Sequence, residues 1–259
     1  MNQSRVNYDD IASTYDARYK SGAGEGQHTI PAALRQLLKS DAPNRILEVG
    51  CGTGYWLNSF DPRDTLYGLD LAHAMLTKAK ERHQDLIRAT ADQLPFPAGA
   101  FDLVYCVNAF HHFPEKESFI REAARILHRN GTLAIIGQDP HGQRDRWYIY
   151  DYFEGTHDLD LRRFPSLPQI NAWMNDAGFT AMRHSVVERV VDHQYGRAVL
   201  NHSILQKTGT SQLILSSDET YNRGLEKIHA DLDQADARGE TLTFVEDISL
   251  VMVVGRNGT

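Results

Sequence analysis

Ile46-Leu47-Glu48-Val49-Gly50-Cys51-Gly52-Thr53-Gly54 decides the reading of this chain. Apolar and β-branched residues run up to a turn with glycine at every second position. That pattern is a buried parallel strand delivering the backbone into a tight loop. Gly50, Gly52 and Gly54 let the loop take positive φ and let a ligand approach bare backbone. Helical signals from Tyr55 to Phe60 predict that amide N–H groups at a helix N-terminus face that ligand. Glu48 stands just before the first glycine. A carboxylate there repels a pyrophosphate and suits an ammonium or sulfonium charge. The dinucleotide fingerprint needs a small residue where Tyr55 stands.

Reading outward, Thr65 to Asp70 is a second short strand ending in an acid. Asp70 follows Gly50 at about the twenty-residue spacing at which an acid accepts from ribose hydroxyls. It is equally placed to cap the helix expected from His73 to His83. Leu86 to Ala89 is a third strand, followed by Asp92 and Gln93. Phe101 to Asn108 is apolar almost throughout, as a central parallel strand should be. It leads into Ala109-Phe110-His111-His112-Phe113. Ligands gather beyond the carboxyl ends of strands in open α/β sheets, so this tip faces the reaction centre. Pro114 opens a helix through Leu127, Arg129-Asn130-Gly131 stops it, and Thr132 to Gly137 is a fifth strand.

Together these stretches resemble the class I, Rossmann-like, S-adenosylmethionine-dependent methyltransferases of the small-molecule type, over roughly residues 6 to 138. The resemblance implies S-adenosyl-L-methionine as cofactor. It places Glu48, Gly50, Cys51, Gly52 and Gly54 around it, with Asp70 and Leu71 at the ribose. Asp92 and Gln93 belong at the adenine edge, and Asn108 at the tip of the fourth strand. The segment around Tyr8 and Tyr15 looks like the helix that precedes the Rossmann domain in such enzymes, where a tyrosine often touches cofactor or substrate. Plain core packing explains the same aromatic stripe of Tyr8, Ile11, Ala12, Tyr15 and Tyr19 equally well.

The implied fold is α/β: a seven-stranded, mostly parallel sheet with an antiparallel last strand. A helical lid spans 1–42, the cofactor domain 43–194 and 240–259, and a helical cap 195–239 is inserted before the last strand. Within the lid, Ser21 to Gly26 reads as a hinge and His28 to Lys39 as a second helix, ended by Asp41-Ala42-Pro43. Further on, Pro168 to Ala177 reads as a helix and Thr180 to Val191 as a strand. Helices are expected over Gly196 to Gln206 and Ser217 to Ala237, and a final strand over Thr243 to Val254. Ile248 to Val254 fits the antiparallel position between the fifth strand and its neighbour.

With 259 residues, 41% of them apolar, the chain suits one α/β domain with an added cap. Its formal net charge of −7 has no basic footprint, which disfavours nucleic acid. Cys51 and Cys106 are two isolated thiols, read as small buried hydrophobes rather than a disulfide or metal cluster. A polar N-terminus and short apolar runs point to a cytoplasmic protein without a membrane span, working as a monomer or homodimer on a small-molecule substrate.

A sulfonium methyl is already activated. An enzyme using it must exclude water, align the nucleophile, and take a proton where the nucleophile carries one. His112 and His141 are the candidate bases, with His111 and Asp139 nearby at the strand tips. Packing or helix entry is the alternative for the His111-His112 pair. No metal is expected, although the chain holds 12 histidines. Trp147 and the aromatic run Tyr148 to Glu154 are the candidate substrate wall, and Arg162 or Arg163 a candidate partner for a substrate carboxylate. O-methylation of an aromatic or apolar acceptor is the preferred reaction. Two rivals are a nicotinamide-dependent oxidoreductase and a non-catalytic protein that keeps the cofactor fold for interaction.

Overall fold

The computed structural model describes residues 6–16, 29–38, 42–142 and 145–259. Tyr19, the Ser21–Gly26 hinge, Asp41 and the two ends of the second expected helix lie outside these residues. Chain order begins with α1 (Tyr8–Ile11) and α2 (Ile30–Arg35). The Rossmann half follows as β1 (Arg45–Val49), β2 (Thr65–Asp70), α3 (His73–Ala79), β3 (Leu86–Arg88), β4 (Phe101–Val107), α4 (Lys116–Ile126) and β5 (Leu127–Gln138). The remainder is β6 (Arg146–Trp147), α5 (Tyr148–Tyr152), α6 (Thr156–Arg163), α7 (Leu167–Asp176), β7 (Phe179–Tyr195), α8 (Ser211–Leu215), α9 (Asp218–Arg238) and β8 (Thr243–Asn257).

The strands form one sheet in the order β3-β2-β1-β4-β5-β8-β6, with β7 also paired to β8. The first five are parallel, in register Glu48↔Gly68 and Leu47↔Val104. β8 runs antiparallel between β5 and β7, as the sequence implies. Parallel strands are buried on both faces, and successive side chains alternate between them. Ile46, Leu103, Tyr105 and Ile136 therefore join one core. Leu47, Val104, Cys106 and Ile135 join the other, which α4 and α7 cover with Phe119, Ile120 and Met174.

The inserted segment packs on the first of these faces. Ile204, Leu213, Ile228 and Leu232 share one core with Ile46, Leu103 and Tyr105. α9 is long because both ends are capped. Ser217 Oγ accepts from Thr220 N, and Gly239 closes the helix at φ 69°. Gly224 lets it rest on Phe153, whose ring a Cβ would meet at 2.3 Å.

Three elements differ from expectation. No α-helix follows the glycine loop; Leu57–Ser59 is a single 3₁₀ turn. Asp61 precedes Pro62 and is barred from helical backbone, leaving too few residues for two turns. The helix-terminus contribution expected from Tyr55 to Phe60 is therefore absent. The α1 helix is one turn long. Gly196 to Gln206 is two short 3₁₀ segments, Gly196–Asn201 and Ser203–Leu205. Among the described residues, no helix is long and apolar enough to cross a membrane.

Candidate functional site

The parallel strands end together, and their loops enclose a cavity of about 490 Å³. The β1 loop forms its floor. Gly50 N and Cys51 N both donate to Leu69 O, so the chain turns back over the end of β2. Gly50 sits at φ +75°, where a Cβ would lie 2.5 Å from Ala109 Cβ. Only glycine satisfies both the left-handed backbone and the close approach.

Asp70 ends β2 beside this loop. Its Oδ2 accepts from Gly52 N at 2.8 Å and its Oδ1 from Ala72 N at 2.8 Å. Each oxygen keeps a second lone pair for a ligand hydroxyl. Burial raises its pKa, against the lowering effect of these backbone donors. Glu48 lies deeper, 1% exposed, and accepts from Tyr105 Oη at 3.1 Å. Burial holds its carboxyl well above the usual range; the Tyr105 hydrogen bond opposes this and the Asp70 charge adds to it. Among the described residues this carboxyl forms no ion pair.

The N-terminal segment closes one side. Ala74 N donates to Asp9 Oδ1, Thr53 Oγ1 to Asp16 Oδ1, and Arg82 Nη2 pairs with Asp16 at 2.6 Å. These bonds bring Tyr8 and Tyr15 into the cavity wall, with ring centroids 5.9 Å apart, edge to face. At the opposite tip, Asn108 takes φ 50°, a left-handed conformation asparagine tolerates, and donates its N–H to Ile136 O. The 3₁₀ turn Phe110–His112 then presents two imidazoles. The Tyr8 hydroxyl and His112 Nε2 are hydrogen-bonded. His111 stacks on Phe164 at 4.0 Å; burial, with the charges of His112, Arg163 and Lys116, pushes its pKa well below the ordinary imidazole value.

Of the residues singled out in the sequence, Tyr8, Tyr15, Glu48, Gly50, Cys51, Gly52, Asp70, Leu71, Asn108 and His112 line this cavity. Gly54, Asp92 and Gln93 do not; Ala89, Thr90 and Ala91 form that wall instead. His141 also lies elsewhere: it is exposed, and its Nε2 contacts Phe164 O at 2.8 Å. Cys51 and Cys106 are buried thiols whose pKa burial raises. Arg163 lines the cavity but already pairs with Asp160 and donates to Ser211 Oγ at 3.0 Å. Tyr148 and Ile149 belong to the core rather than to a substrate wall.

A second cavity of about 200 Å³ adjoins the first. Tyr8, Tyr15, Trp56, Asn108, His111 and His112 line both. Its floor is one face of the β7–β8 ladder. Glu246, Ile248 and Leu250 alternate along β8, beside Glu188 and Val190 of β7. Sequence reading missed this floor. Its signal was present: Glu246 is in phase with Phe244, Ile248 and Leu250, while Asp247 and Ser249 fall on the other face.

The sheet order, the glycine loop and the acid at the tip of β2 define a Rossmann-like α/β protein built to hold an adenosyl ligand. Residues 47–135 match the family model described as a methyltransferase domain. Over this stretch the chain is thus similar to methyltransferase domains. Malonyl-[acyl-carrier protein] O-methyltransferase of Legionella pneumophila is 36% identical over 107 residues, covering 38% of this chain and 38% of that protein. The chain thus matches well under half the length of that relative. A putative methyltransferase from an antibiotic biosynthesis pathway of Anabaena variabilis superposes with TM-score 0.63 at 20% identity, covering 88% of this chain and 99% of that one. Haemonchus contortus phosphoethanolamine N-methyltransferase 2, in complex with S-adenosyl-L-methionine, gives TM-score 0.60 at 16% identity, over 99% of this chain and 59% of that one. At these identities the structures attest the fold.

Proposed function

We propose that this protein transfers a methyl group from S-adenosyl-L-methionine to a hydroxyl of a small, partly apolar metabolite. The observation that carries this reading is the meeting of two cavities, about 490 and 200 Å³, along Tyr8, Asn108 and His112. The cofactor fits the larger: bare backbone at Gly50 and Gly52, an acid for the ribose at Asp70, and a buried carboxyl at Glu48 that lacks a cation. When bound, it supplies a methyl group activated by a sulfonium charge.

The chain's own residues do the rest. Asp70 and the glycine loop fix the adenosyl end, while Tyr8 and Tyr15 cover it against water. The acceptor hydroxyl sits at the shared boundary, in place of the Tyr8 contact to His112. Gly50, Gly52, Asp70 and Glu48 would hold the donor with its sulfonium methyl presented to that hydroxyl oxygen, and it would leave as the neutral thioether. His112 Nε2 takes the hydroxyl proton, which contributes on the order of 10²–10⁴-fold in such reactions. His141, away from both cavities, has no part in this step. Cytoplasmic location, a monomer or homodimer, and independence of nucleic acid and membrane complete the reading.

Calorimetry with S-adenosylhomocysteine and with reduced nicotinamide cofactors tests the binding half. Tight binding of the first and none of the others is expected; the reverse overturns it. Transfer of labelled methyl to a metabolite extract tests turnover, and a protein that binds cofactor but labels nothing is an interaction module instead.

A further inference from the structure

The floor of the smaller cavity is ordered along the strands. Its near rung, Gln138–Leu250–Glu188, lies at the end of β5, beside the His112 boundary. The next rung pairs Ile248 with Val190, both apolar. The far rung, Trp147–Glu246–Asp192, lies beyond the end of β5, on β6, β8 and β7. Opposed residues in antiparallel strands share a face, so these three side chains are neighbours. Near and far rungs are four residues apart on β8, roughly 13 Å along the strand.

The far rung is charged where a core strand should be apolar. Glu246 is 5% exposed, and its Oε2 has no hydrogen-bond partner among the described residues. It stands beside a second carboxylate, Asp192. Burial and that neighbour push its pKa up to about 8. Trp147 Nε1 is likewise buried without a partner. Stranding the Glu246 oxygen is costly, so an occupant that donates to it is favoured. The Glu188 carboxylate at the near rung is different, since it accepts from Thr29 N and Ile30 N.

Asp192, His202 and Glu246 offer three donor atoms within 4.8 Å of one another, a set with metal-ligand chemistry. Asp192 in this set is already engaged, whereas His202 Nε2, like Glu246 Oε2, is buried without a hydrogen bond among the described residues. His202 Nε2 faces Asp192 Oδ2 at 3.2 Å, and Asp192 also accepts from His193 N and Gln194 Nε2. Glu246 alone among them lines the cavity.

We infer that the acceptor is an elongated metabolite with a protonated amine at its far end, received by Glu246, and an apolar middle lying on Ile248, Val190 and Leu250. This rests on the reading of the smaller cavity as the acceptor site. The ammonium charge offsets two adjacent carboxylates, and its N–H groups occupy the orphaned Oε2. The nucleophilic hydroxyl is then left at the His112 boundary, a strand length away from the amine.

Calorimetry on the full chain saturated with S-adenosylhomocysteine tests this with three probes of equal length: ω-aminooctanol, octanediol and ω-hydroxyoctanoate. The amine should bind at least about tenfold more tightly than the diol, a difference of about 1.4 kcal/mol. The carboxylate should bind most weakly. Glu246→Gln should bring amine and diol to within about twofold, the charge-assisted contact being lost while the side-chain shape is kept. Equal binding of amine and diol, a preference for the carboxylate, or a preference that survives Glu246→Gln overturns the inference. So does stoichiometric Zn²⁺ uptake abolished by His202→Ala, which would make the far rung a metal site. Saturation with S-adenosylhomocysteine is measured first, so failure of the cofactor reading registers separately from failure of the amine preference.

Discussion

The Tyr8 hydroxyl meets His112 Nε2 across 104 residues of sequence, at the line where the two cavities join. Their rings stand edge to face at 83°, centroids 5.0 Å apart. In the proposed reading the acceptor hydroxyl displaces this Tyr8 contact and gives its proton to His112. His112→Ala should slow methyl transfer about 10²–10³-fold. Its S-adenosylhomocysteine affinity should stay within about twofold, since the adenosyl contacts lie elsewhere. Tyr8→Phe keeps the ring and should lose far less turnover. Single-turnover kinetics beside calorimetry separates the two effects, and full activity in His112→Ala would reduce that residue to packing.

Asp70 accepts from the loop at Gly52 N and from Ala72 N, and in the proposed reading also from the ribose. Asp70→Asn retains an acceptor oxygen but loses the charge and one backbone contact. Cofactor affinity should fall by roughly 1–3 kcal/mol, the usual range for a charge-assisted hydrogen bond. Unchanged calorimetric affinity would remove Asp70 from the ribose site.

Gly50→Ala asks for a side chain at φ +75° within 2.5 Å of Ala109 Cβ. The loop must move to accept it. Unfolding free energy should drop by about 1–3 kcal/mol from backbone strain alone, with cofactor binding lost before the fold. Denaturant melts with and without S-adenosylhomocysteine would show this; native affinity in the variant would contradict the loop's role.

Cofactor binding should be linked to protons through Glu48. Burial, with the Asp70 charge, holds its carboxyl well above the usual range. A cationic ligand favours the ionised form, so binding should release a proton and weaken as the pH falls. Calorimetry in buffers of different ionisation enthalpy reads that release. In Glu48→Gln the release should vanish.

Glu246 makes the opposite kind of pH dependence, visible in stability. Its folded pKa of about 8 lies above the ordinary 4.5, from burial first and the Asp192 charge second. The native state keeps a proton that the unfolded chain gives up, so stability is greatest below pH 4.5 and declines as the pH climbs to about 8. Glu246→Gln should be more stable than the parent by roughly 2–4 kcal/mol at high pH and nearly equal to it in acid. Parallel melting curves at all pH values would show that Glu246 is compensated in the native state.

The parallel half was legible because each of its signals is local: a strand running into glycines, an acid at a strand end, an apolar run with a turn after it. Residues placed by such signals, Glu48, Gly50, Asp70 and Asn108, stand in the cavity wall. Asp92 does not, because the loop after β3 presents Thr90 and Ala91 first, and a step of one or two residues decides which side chain faces inward. His141 was chosen by its place after a strand, but its ring turns to the Phe164 carbonyl, a contact set by a loop far along the chain. The floor of the smaller cavity was harder still. It depends on which strands pair with β8, and Glu246 matters only once Asp192 and Trp147 are known to flank it.

The ladder of β7 and β8 runs on past the end of β5, so the two cavities rest on different strands. Substitutions on that overhang fall outside the lining of the larger cavity. Within such a scaffold one lineage can trade acceptors repeatedly while inheriting its methyl donor unchanged, and chimeras exchanged at the β5 boundary should carry their substrate preference with the overhanging strands.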